Sequence, residues 1–270
     1  MKTGFARIVE HERLYGDTHI MWFAAPEILR GGTPGQFVML RCVEPTVPGE
    51  SPPMSATLPA DPLLPRAMSI HRVREGSSAQ EWSILYDVVG AGTRWLAAQE
   101  QGDDIFCWGP LGHGYDVKTG SKHLLLIGGG IGVAPLIWLA DEAVGTGRSV
   151  TMVLGGRTSE QIFPANLLPR EVELIVYTED GSSGRKGLAT EGFTEYLAWC
   201  DQAFACGPNA MFAAMADVMR QQQLRRSAQV LLEERMGCGT GICYGCAVET
   251  RKGMRLVCKD GPRFELNEIY

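Results

Sequence analysis

The sequence lacks the marks of nucleic-acid-binding, membrane and secreted proteins. Its 270 residues carry a formal net charge of −6, so no basic excess indicates nucleic acid or an anionic membrane as a partner. The longest uncharged run, 124–140, is shorter than the roughly 20 apolar residues of a membrane span and is interrupted by glycines and a proline. No apolar segment follows the first charged residues, so we expect no signal peptide and a cytoplasmic location.

The sequence also lacks a recognisable set of catalytic side chains. No Ser-His-Asp arrangement or pair of carboxylates stands out, and the five histidines are scattered along the chain. We therefore expect no catalytic residue in this chain and assign its chemistry to bound cofactors. With 45% hydrophobic and 21% charged residues, the chain is globular and has enough apolar material for about two domains.

The eight cysteines are unevenly distributed. Cys42, Cys107 and Cys200 are isolated, which is typical of small buried residues, whereas four cysteines lie between positions 238 and 258. Their spacing is C-x4-C-x2-C, with a fourth cysteine after eleven intervening residues, and plant-type 2Fe-2S ferredoxins bind their cluster through three cysteines at this spacing and a fourth further on. Glycines between them let the backbone wrap closely around a cluster. Structural zinc, which prefers two short cysteine hooks far apart, is the alternative. The predicted cluster ligands are Cys238, Cys243, Cys246 and Cys258.

A glycine-rich turn at 128–135 separates a predicted buried strand from a predicted helix. Backbone amides at the start of such a helix bind a pyrophosphate, and Pro135 suits a first helical turn. The acidic residue expected about 20 residues further on, which would bind the ribose, is missing, so the choice between NAD and NADP stays open. A tight turn without a ligand is the alternative. The predicted dinucleotide-binding residues here are Gly128, Gly129, Gly130 and Gly132.

Patterning along the chain predicts three units. Residues 1–115 carry short apolar stretches separated by glycine and proline, which favours an antiparallel β-barrel or sandwich. Within them, the proline-rich stretch 44–65 is predicted to be a surface loop. Residues 116–225 alternate strands with helices, which predicts a parallel α/β sheet. Residues 226–270 are rich in glycine and cysteine and form the predicted cluster-binding unit.

Several motifs, taken in order, resemble the ferredoxin–NADP reductase superfamily. They are Arg-x-x-Ser at 66–69, Gly-Ala-Gly-Thr at 90–93, the glycine turn at 128–135, the loop 179–187 and Cys-Gly-Pro at 206–208. The run 232–246, LEERMGCGTGICYGC, narrows the resemblance to the electron-transfer subunits of heteromeric, NAD-linked dihydroorotate dehydrogenases. The resemblance covers nearly the whole chain. It implies a flavin-binding β-barrel, a central NAD-binding α/β domain and a C-terminal 2Fe-2S unit.

The resemblance also implies where FAD and NAD bind. The forked guanidinium of Arg66 suits a pyrophosphate, although strand and turn residues of these types are also common without a ligand. Met68 stands where relatives outside this subunit type often carry a ring that stacks on flavin. Cys206 is implied as a neighbour of the nicotinamide, with a small buried residue as the alternative. The implied FAD contacts are Arg66, Ala67, Met68, Ser69, Leu85, Tyr86, Asp87, Gly92 and Thr93, and the further NAD contacts are Cys206, Gly207 and Pro208.

The function implied by the resemblance is an electron relay in pyrimidine biosynthesis. An FMN-containing catalytic subunit would oxidise dihydroorotate, and electrons would cross the 2Fe-2S cluster and FAD to NAD⁺ within a heterotetramer. Two alternatives remain open at this point. The chain could be an NAD(P)H-dependent iron–sulfur flavoprotein reductase that serves another redox partner, or a zinc-stabilised nucleotide-binding module without enzymatic activity.

Overall fold

The computed structural model describes residues 1–42, 63–76, 79–223 and 226–270. Within these ranges the chain forms two seven-stranded sheets and one small hairpin. The predicted surface loop 44–65 lies outside the described residues except for its last three. No helix in the described ranges is long and apolar enough to cross a membrane.

The first sheet is antiparallel, as predicted for the N-terminal part of the chain. Its strands are β1 (Lys2–Tyr15), β2 (Thr18–Ala24), β3 (Phe37–Leu40), β4 (Arg66–Ser69), β5 (Arg72–Glu75), β6 (Gln80–Asp87) and β7 (Asp104–Leu111). They are arranged in the order β4-β3-β7-β1-β2-β6-β5. β4 and β5 are therefore the two edges, and no ladder between them closes the sheet in the described residues. The predicted barrel is therefore a curled half-barrel. The residues between β4 and β5 do not close it, and His71 among them contacts Ala134 in the second part of the chain.

Side-chain alternation explains why the strands of this sheet form. In β7 the side chains at 105, 107, 109 and 111 are buried while the residues between them are partly exposed, so one face of the strand covers the core. Two short helices, α1 (Pro26–Leu29) and α2 (Ala91–Ala97), complete this part of the chain. The isolated Cys42 and Cys107 are buried in its core, as predicted.

The second sheet is parallel except at one edge, which confirms the predicted α/β architecture. Its strand β8 (His123–Gly129) is buried almost throughout, as is typical of a strand covered on both faces. The helices are α3 (Ala134–Gly145), α4 (Ala189–Tyr196) and α5 (Asn209–Gln222), and short 3-10 turns span Gly130–Val133, Ser159–Gln161 and Ala165–Leu167. The other parallel strands are β9 (Ser149–Gly156), β10 (Glu173–Thr178), β11 (Arg185–Lys186), β12 (Gln202–Cys206) and β13 (Ser227–Leu231).

The C-terminal segment leaves the second sheet and returns to it. After β13 the chain forms the cysteine loop and a hairpin of β14 (Ala247–Thr250) and β15 (Gly253–Leu256), followed by α6 (Val257–Asp260). Strand β16 (Arg263–Glu265) then pairs antiparallel with β13, and α7 (Leu266–Ile269) ends the chain. Both ends of the predicted 226–270 unit are therefore built into the parallel sheet, and its boundary stays a prediction.

The link between β4 and β5 joins the two sheets. The ring of His71 is fully buried, and its Nδ1 lies 2.8 Å from the carbonyl oxygen of Ala134, at the start of α3. Next to it, Arg72 donates two hydrogen bonds to the carboxylate of Asp141 on α3, at 2.6 and 2.8 Å. This bidentate pair is half-buried, so it fixes the orientation of the first sheet on α3 more firmly than a surface pair would.

The burial of His71 leads us to expect that the folded chain loses stability at acidic pH. Burial lowers the pKa of His71 from 6.5 to about 3, so the folded chain holds this ring neutral while the unfolded chain takes up a proton below about pH 6.5. As the pH falls from 6 to 4, we expect this residue to lower the free energy of unfolding by up to about 1.4 kcal/mol per pH unit. Denaturant unfolding of wild type and His71→Gln across that range measures the difference in slope. Parallel pH profiles for the two proteins would contradict the assignment.

Candidate cofactor-binding site

The predicted flavin strand β4 lies at the edge of the first sheet, with all four of its side chains partly exposed. The guanidinium of Arg66 lies directly over Gly92, where any Cβ atom would collide with it. Thr93 is buried, and its hydroxyl accepts hydrogen bonds from the amides of Val89 and Gly90, at 2.9 and 3.0 Å. The structure thus brings the Arg-x-x-Ser and Gly-Ala-Gly-Thr motifs together as one cationic cradle.

The residues predicted at the end of β6 face different environments. Leu85 and Tyr86 are buried in the core, and the Tyr86 hydroxyl lies 3.1 Å from the ring nitrogen Nε2 of His11. Asp87 is half-buried and accepts a hydrogen bond from the Thr18 hydroxyl at 2.6 Å. Of these three predicted residues, Asp87 therefore presents a polar side chain closest to the opening between the two sheets, while the other two shape the core behind it.

The glycine turn and the Cys-Gly-Pro segment form one surface. Strands β8 and β12 are neighbours, and Gly128 pairs in register with Cys206. A Cβ atom on Gly132 would collide with the carbonyl of Cys206, and one on Gly129 would lie 2.8 Å from the Pro208 ring. The absence of side chains at these two positions lets the ends of the strands meet, as the parallel sheet predicted.

Cys206 is linked to a residue that the sequence reasoning did not select. Its buried Sγ lies 3.4 Å from Oε1 of Glu233, just beyond β13, and donates a hydrogen bond to it. Burial raises the pKa of the Cys206 thiol well above its ordinary value, and the nearby carboxylate raises it further. The surrounding protein also raises the pKa of Glu233, and negatively charged Asp87 adds to this, whereas the thiol hydrogen bond lowers it. Cys206 and Asp87 therefore face the same carboxylate, from the two sheets.

The four clustered cysteines are brought to one end of the molecule. Cys238 is half-buried, Cys243 is exposed, and Cys246 and Cys258 are buried. Three backbone amides donate to their sulfurs: Thr240 to Cys238 at 3.3 Å, Gly241 to Cys258 at 3.2 Å and Cys258 to Cys246 at 3.4 Å. Amide hydrogen bonds to sulfur are the contacts that tune cluster potentials.

The electrostatics at Cys238 suit a thiolate ligand, whereas burial raises the pKa of Cys258 to about 12. Burial raises the pKa of Cys238, but the amides of Cys243, Thr240 and Ile242 outweigh it and lower the pKa to about 6. In the described residues, no three His, Cys, Asp or Glu side chains are grouped closely enough for a single metal ion. The amides aimed at the sulfurs are contacts of the kind that surround the thiolate ligands of an iron–sulfur cluster.

The cysteine loop packs against β3, the strand next to the predicted flavin strand β4. A Cβ atom on Gly239, whose φ is +69°, would lie 2.6 Å from Cγ of Met39 on β3. Met39 pairs across the sheet with Ala67 of β4. The indole nitrogen of Trp108 donates to the carbonyl of Cys238 at 3.2 Å. The predicted cluster ligands and the predicted flavin residues are thus separated by a single strand.

Comparison with known proteins identifies relatives over the full length. Residues 233–270 match the family model described as the iron–sulfur cluster binding domain of dihydroorotate dehydrogenase B. The electron transfer subunit of dihydroorotate dehydrogenase B (NAD(+)) from Geobacillus sp. (strain WCH70) is 37% identical over 274 residues, covering 100% of this chain and 99% of that protein. The subunit of the same name from Desulforamulus reducens is 34% identical, covering 92% and 90%.

A solved structure also shares the fold. The NADH-dependent reduced ferredoxin–NADP oxidoreductase, studied for flavin-based electron bifurcation, superposes with a TM-score of 0.81 at 25% identity. The match covers 100% of this chain and 91% of that one. The overall fold of this chain therefore also occurs in an oxidoreductase of known structure.

Proposed function

Because this chain belongs to the family of electron-transfer subunits of NAD-dependent dihydroorotate dehydrogenase B, we propose that it relays electrons from a dihydroorotate-oxidising catalytic subunit to NAD⁺. It is an oxidoreductase component whose cofactors are FAD, a 2Fe-2S cluster and NAD, and it works with a catalytic partner subunit. The family, function, cofactors and partner predicted from the motifs are confirmed. The match to an iron–sulfur domain favours the cluster over the structural-zinc alternative.

The packing of the cysteine loop on β3 is the observation that carries this proposal. When bound, the cluster would supply single-electron transfer between the partner and FAD, and FAD would supply hydride exchange with NAD⁺. Such a chain requires the two sites to be adjacent, and Met39 is the residue that touches the cysteine loop on one side and pairs with the flavin strand on the other. We propose an FMN-containing partner in a heterotetramer located in the cytoplasm, where thiols stay reduced.

The protein residues have binding and positioning roles in this proposal. The guanidinium of Arg66 and the amides near Gly92 would hold the FAD pyrophosphate. The glycine turn at the start of α3 would hold the pyrophosphate of NAD. The Cys206–Glu233 pair lies where the two cofactor sites meet and would hold a proton there. The cluster would be held by Cys238, Cys243, Cys246 and Cys258.

Reconstitution with the partner tests the function. The chain holding FAD and cluster should reduce a dye with NADH by itself, and should convert dihydroorotate and NAD⁺ to orotate and NADH only when mixed with a dihydroorotate-oxidising subunit. Productive electron exchange with a different redox protein, combined with failure to couple to that subunit, would favour the alternative reductase function.

Next to the exposed ligand Cys243 lies an apolar surface that we propose as the docking site of the catalytic subunit. Ile242 and Tyr244 are 78% and 69% exposed on either side of Cys243, and we name these three residues the cluster rim. Large exposed apolar side chains beside a redox ligand are typical of a protein contact.

Substitution at the cluster rim tests this docking site. We expect Ile242→Asp to weaken assembly with the catalytic subunit by about 10- to 100-fold, since it places a charge in an apolar contact. NADH-dependent dye reduction by the chain alone should not change. The control Leu188→Asp changes an exposed leucine that follows β11, on another part of the surface. Unchanged binding of the Ile242 variant, measured by interferometry, would contradict the proposed location.

Glu179 supplies the acidic group that the sequence rule did not find. The rule places it after the second strand, β9, but β9 ends in glycines and arginine. Strand β10 runs alongside, and the amide of Glu179 donates to the carbonyl of Gly156 at 3.0 Å. Its exposed carboxylate therefore lies beside the end of β9. We propose that it accepts a hydrogen bond from the ribose 2′-hydroxyl of NAD and repels the 2′-phosphate of NADP.

Reversing this charge should change the cofactor preference. We expect Glu179→Arg to shift the ratio of kcat/KM for NADH over NADPH toward NADPH by about 10- to 100-fold, because an arginine accommodates the phosphate. Dye-reduction kinetics with both nucleotides measures the ratio. Glu171→Arg, an exposed site just before β10 at its opposite end, is the matched control. Equal ratios in the two variants would show that another residue selects the cofactor.

A further inference from the structure

A separate cavity lies in the C-terminal part of the chain, and none of its lining residues belongs to the proposed cofactor sites. Its volume is about 480 Å³, which is within the usual range for small-molecule sites and larger than an inorganic ion requires. The cavity is formed by the hairpin of β14 and β15, the end of α6, β16, α7 and the loop after β7. Its charged and titratable lining residues are His113, Lys252, Arg255, Asp260, Arg263 and Glu268.

The acidic groups of this lining are already satisfied by protein partners. Glu268 forms an ion pair with Lys252 and also accepts the amide of Glu265 at 3.3 Å. Asp260 accepts the amide of Leu256 at 2.7 Å. Within the described residues neither carboxylate forms an ion pair with the two arginines of the cavity, and the pKa of Glu268 is lowered chiefly by the hydrogen bond from Lys252, with a smaller contribution from Arg263.

The guanidiniums of Arg255 and Arg263 make few hydrogen bonds within the described residues. Arg263 uses Nε to donate to the carbonyl of Gly114 at 3.1 Å, and Arg255 makes only a 3.5 Å contact with the carbonyl of Met254. In the described part of the chain, neither arginine forms an ion pair with a carboxylate. Two partly buried guanidiniums with free N–H groups around one cavity form a site for an anion.

We propose that this cavity binds a small organic phosphate monoester, with its phosphate between Arg255 and Arg263. A phosphate monoester carries close to two negative charges at neutral pH, whereas a carboxylate carries one. The monoester therefore matches the two guanidiniums better. The volume beyond the phosphate accommodates the organic group. Cys258 and the cavity residue Asp260 belong to the same short helix, α6, so a bound anion would lie on the cluster side of the molecule.

Calorimetric titration of the full chain tests the site. The protein holds FAD and cluster and is saturated with NAD⁺, so that the proposed cofactor phosphate sites are filled. The probe is ribose 5-phosphate, and ribose is the uncharged comparison. We expect saturable binding of ribose 5-phosphate and none of ribose. Arg255→Gln should weaken binding about 10-fold or more, and the double variant with Arg263→Gln should abolish it. Retained flavin and cluster absorbance reports that each variant is folded.

Arg251→Gln is the matched control, because Arg251 is exposed in the turn of the same hairpin and does not line the cavity. Its affinity for the probe should equal that of wild type. Absence of binding to wild type, or binding that both cavity variants retain, would overturn the proposal. Loss of binding when the catalytic subunit is added would also overturn it, since the surface would then be a subunit contact. None of these results bears on NADH-dependent dye reduction, so the proposed function is tested separately.

Discussion

Replacing Cys258 with serine is expected to remove most of the iron and labile sulfide from the purified protein. Cys258 is buried on α6 and its sulfur receives the amide of Gly241, so this proposed ligand is a fixed thiol rather than a surface one. A serine oxygen is a poorer ligand for iron in this setting than a soft thiolate. Dihydroorotate-dependent reduction of NAD⁺ by the reconstituted complex should fall by at least about 100-fold. NADH-dependent dye reduction through FAD should stay near wild type.

Cys200→Ser is the control for this prediction. Cys200 is also buried, and its thiol donates only to the carbonyl of Leu197 at 3.5 Å, a bond that a serine hydroxyl can make. This variant should keep its iron and both activities. Iron content, visible absorbance and the two rates are measured on both variants. A Cys258→Ser protein with full iron and an unchanged coupled rate would show that the cluster uses a different ligand.

Removing the guanidinium at position 66 is expected to produce the second large effect, on FAD. A hydrogen bond to a charged group contributes about 1.5–3 kcal/mol, and a forked contact with the pyrophosphate makes two of them. Arg66→Ala should therefore raise the dissociation constant of FAD by about 100-fold or more. Flavin fluorescence on titration of the FAD-free protein measures this constant. The cluster, which depends on other residues, should remain.

Two further variants sharpen the interpretation of this result. Gly92→Ala leaves Arg66 in the sequence but pushes its side chain out of the cradle, so FAD binding should weaken in the same direction. Arg7→Ala removes an exposed arginine from the same sheet, where it pairs with Asp104. That change should leave FAD binding unaltered. Tight FAD binding by the Arg66 variant would place the pyrophosphate on other groups.

The motifs that could be predicted from the sequence are those contained in a short stretch of chain. The cysteine loop needs three ligands within nine residues, and the glycine turn needs only a strand and a helix on either side. The meeting of the glycine turn with Cys206 was implied by the family resemblance, and it is explained by parallel strands, which bring their carboxyl ends to one edge. Here the local pattern and the final packing agree.

What the sequence did not predict depends on partners that are distant in the chain. The contact of Cys206 with Glu233 spans 27 residues, and that of His71 with Ala134 spans 63. Glu179, the proposed ribose contact, was not selected because the rule assumes the second strand, whereas Glu179 follows the third strand, β10.

The pairing of β16 with β13 has a consequence for the kinetics of electron flow. Electron tunnelling slows steeply as the gap between donor and acceptor widens, so a carrier on a loosely tethered segment must wait for that segment to approach. Here Cys258 lies just before a strand that is hydrogen-bonded to the parallel sheet, and the loop of Cys238 rests on β3. The gap is held by backbone ladders on both sides. We therefore expect transfer within the chain to depend on energy levels and a constant separation, and its rate to stay the same in a more viscous solvent.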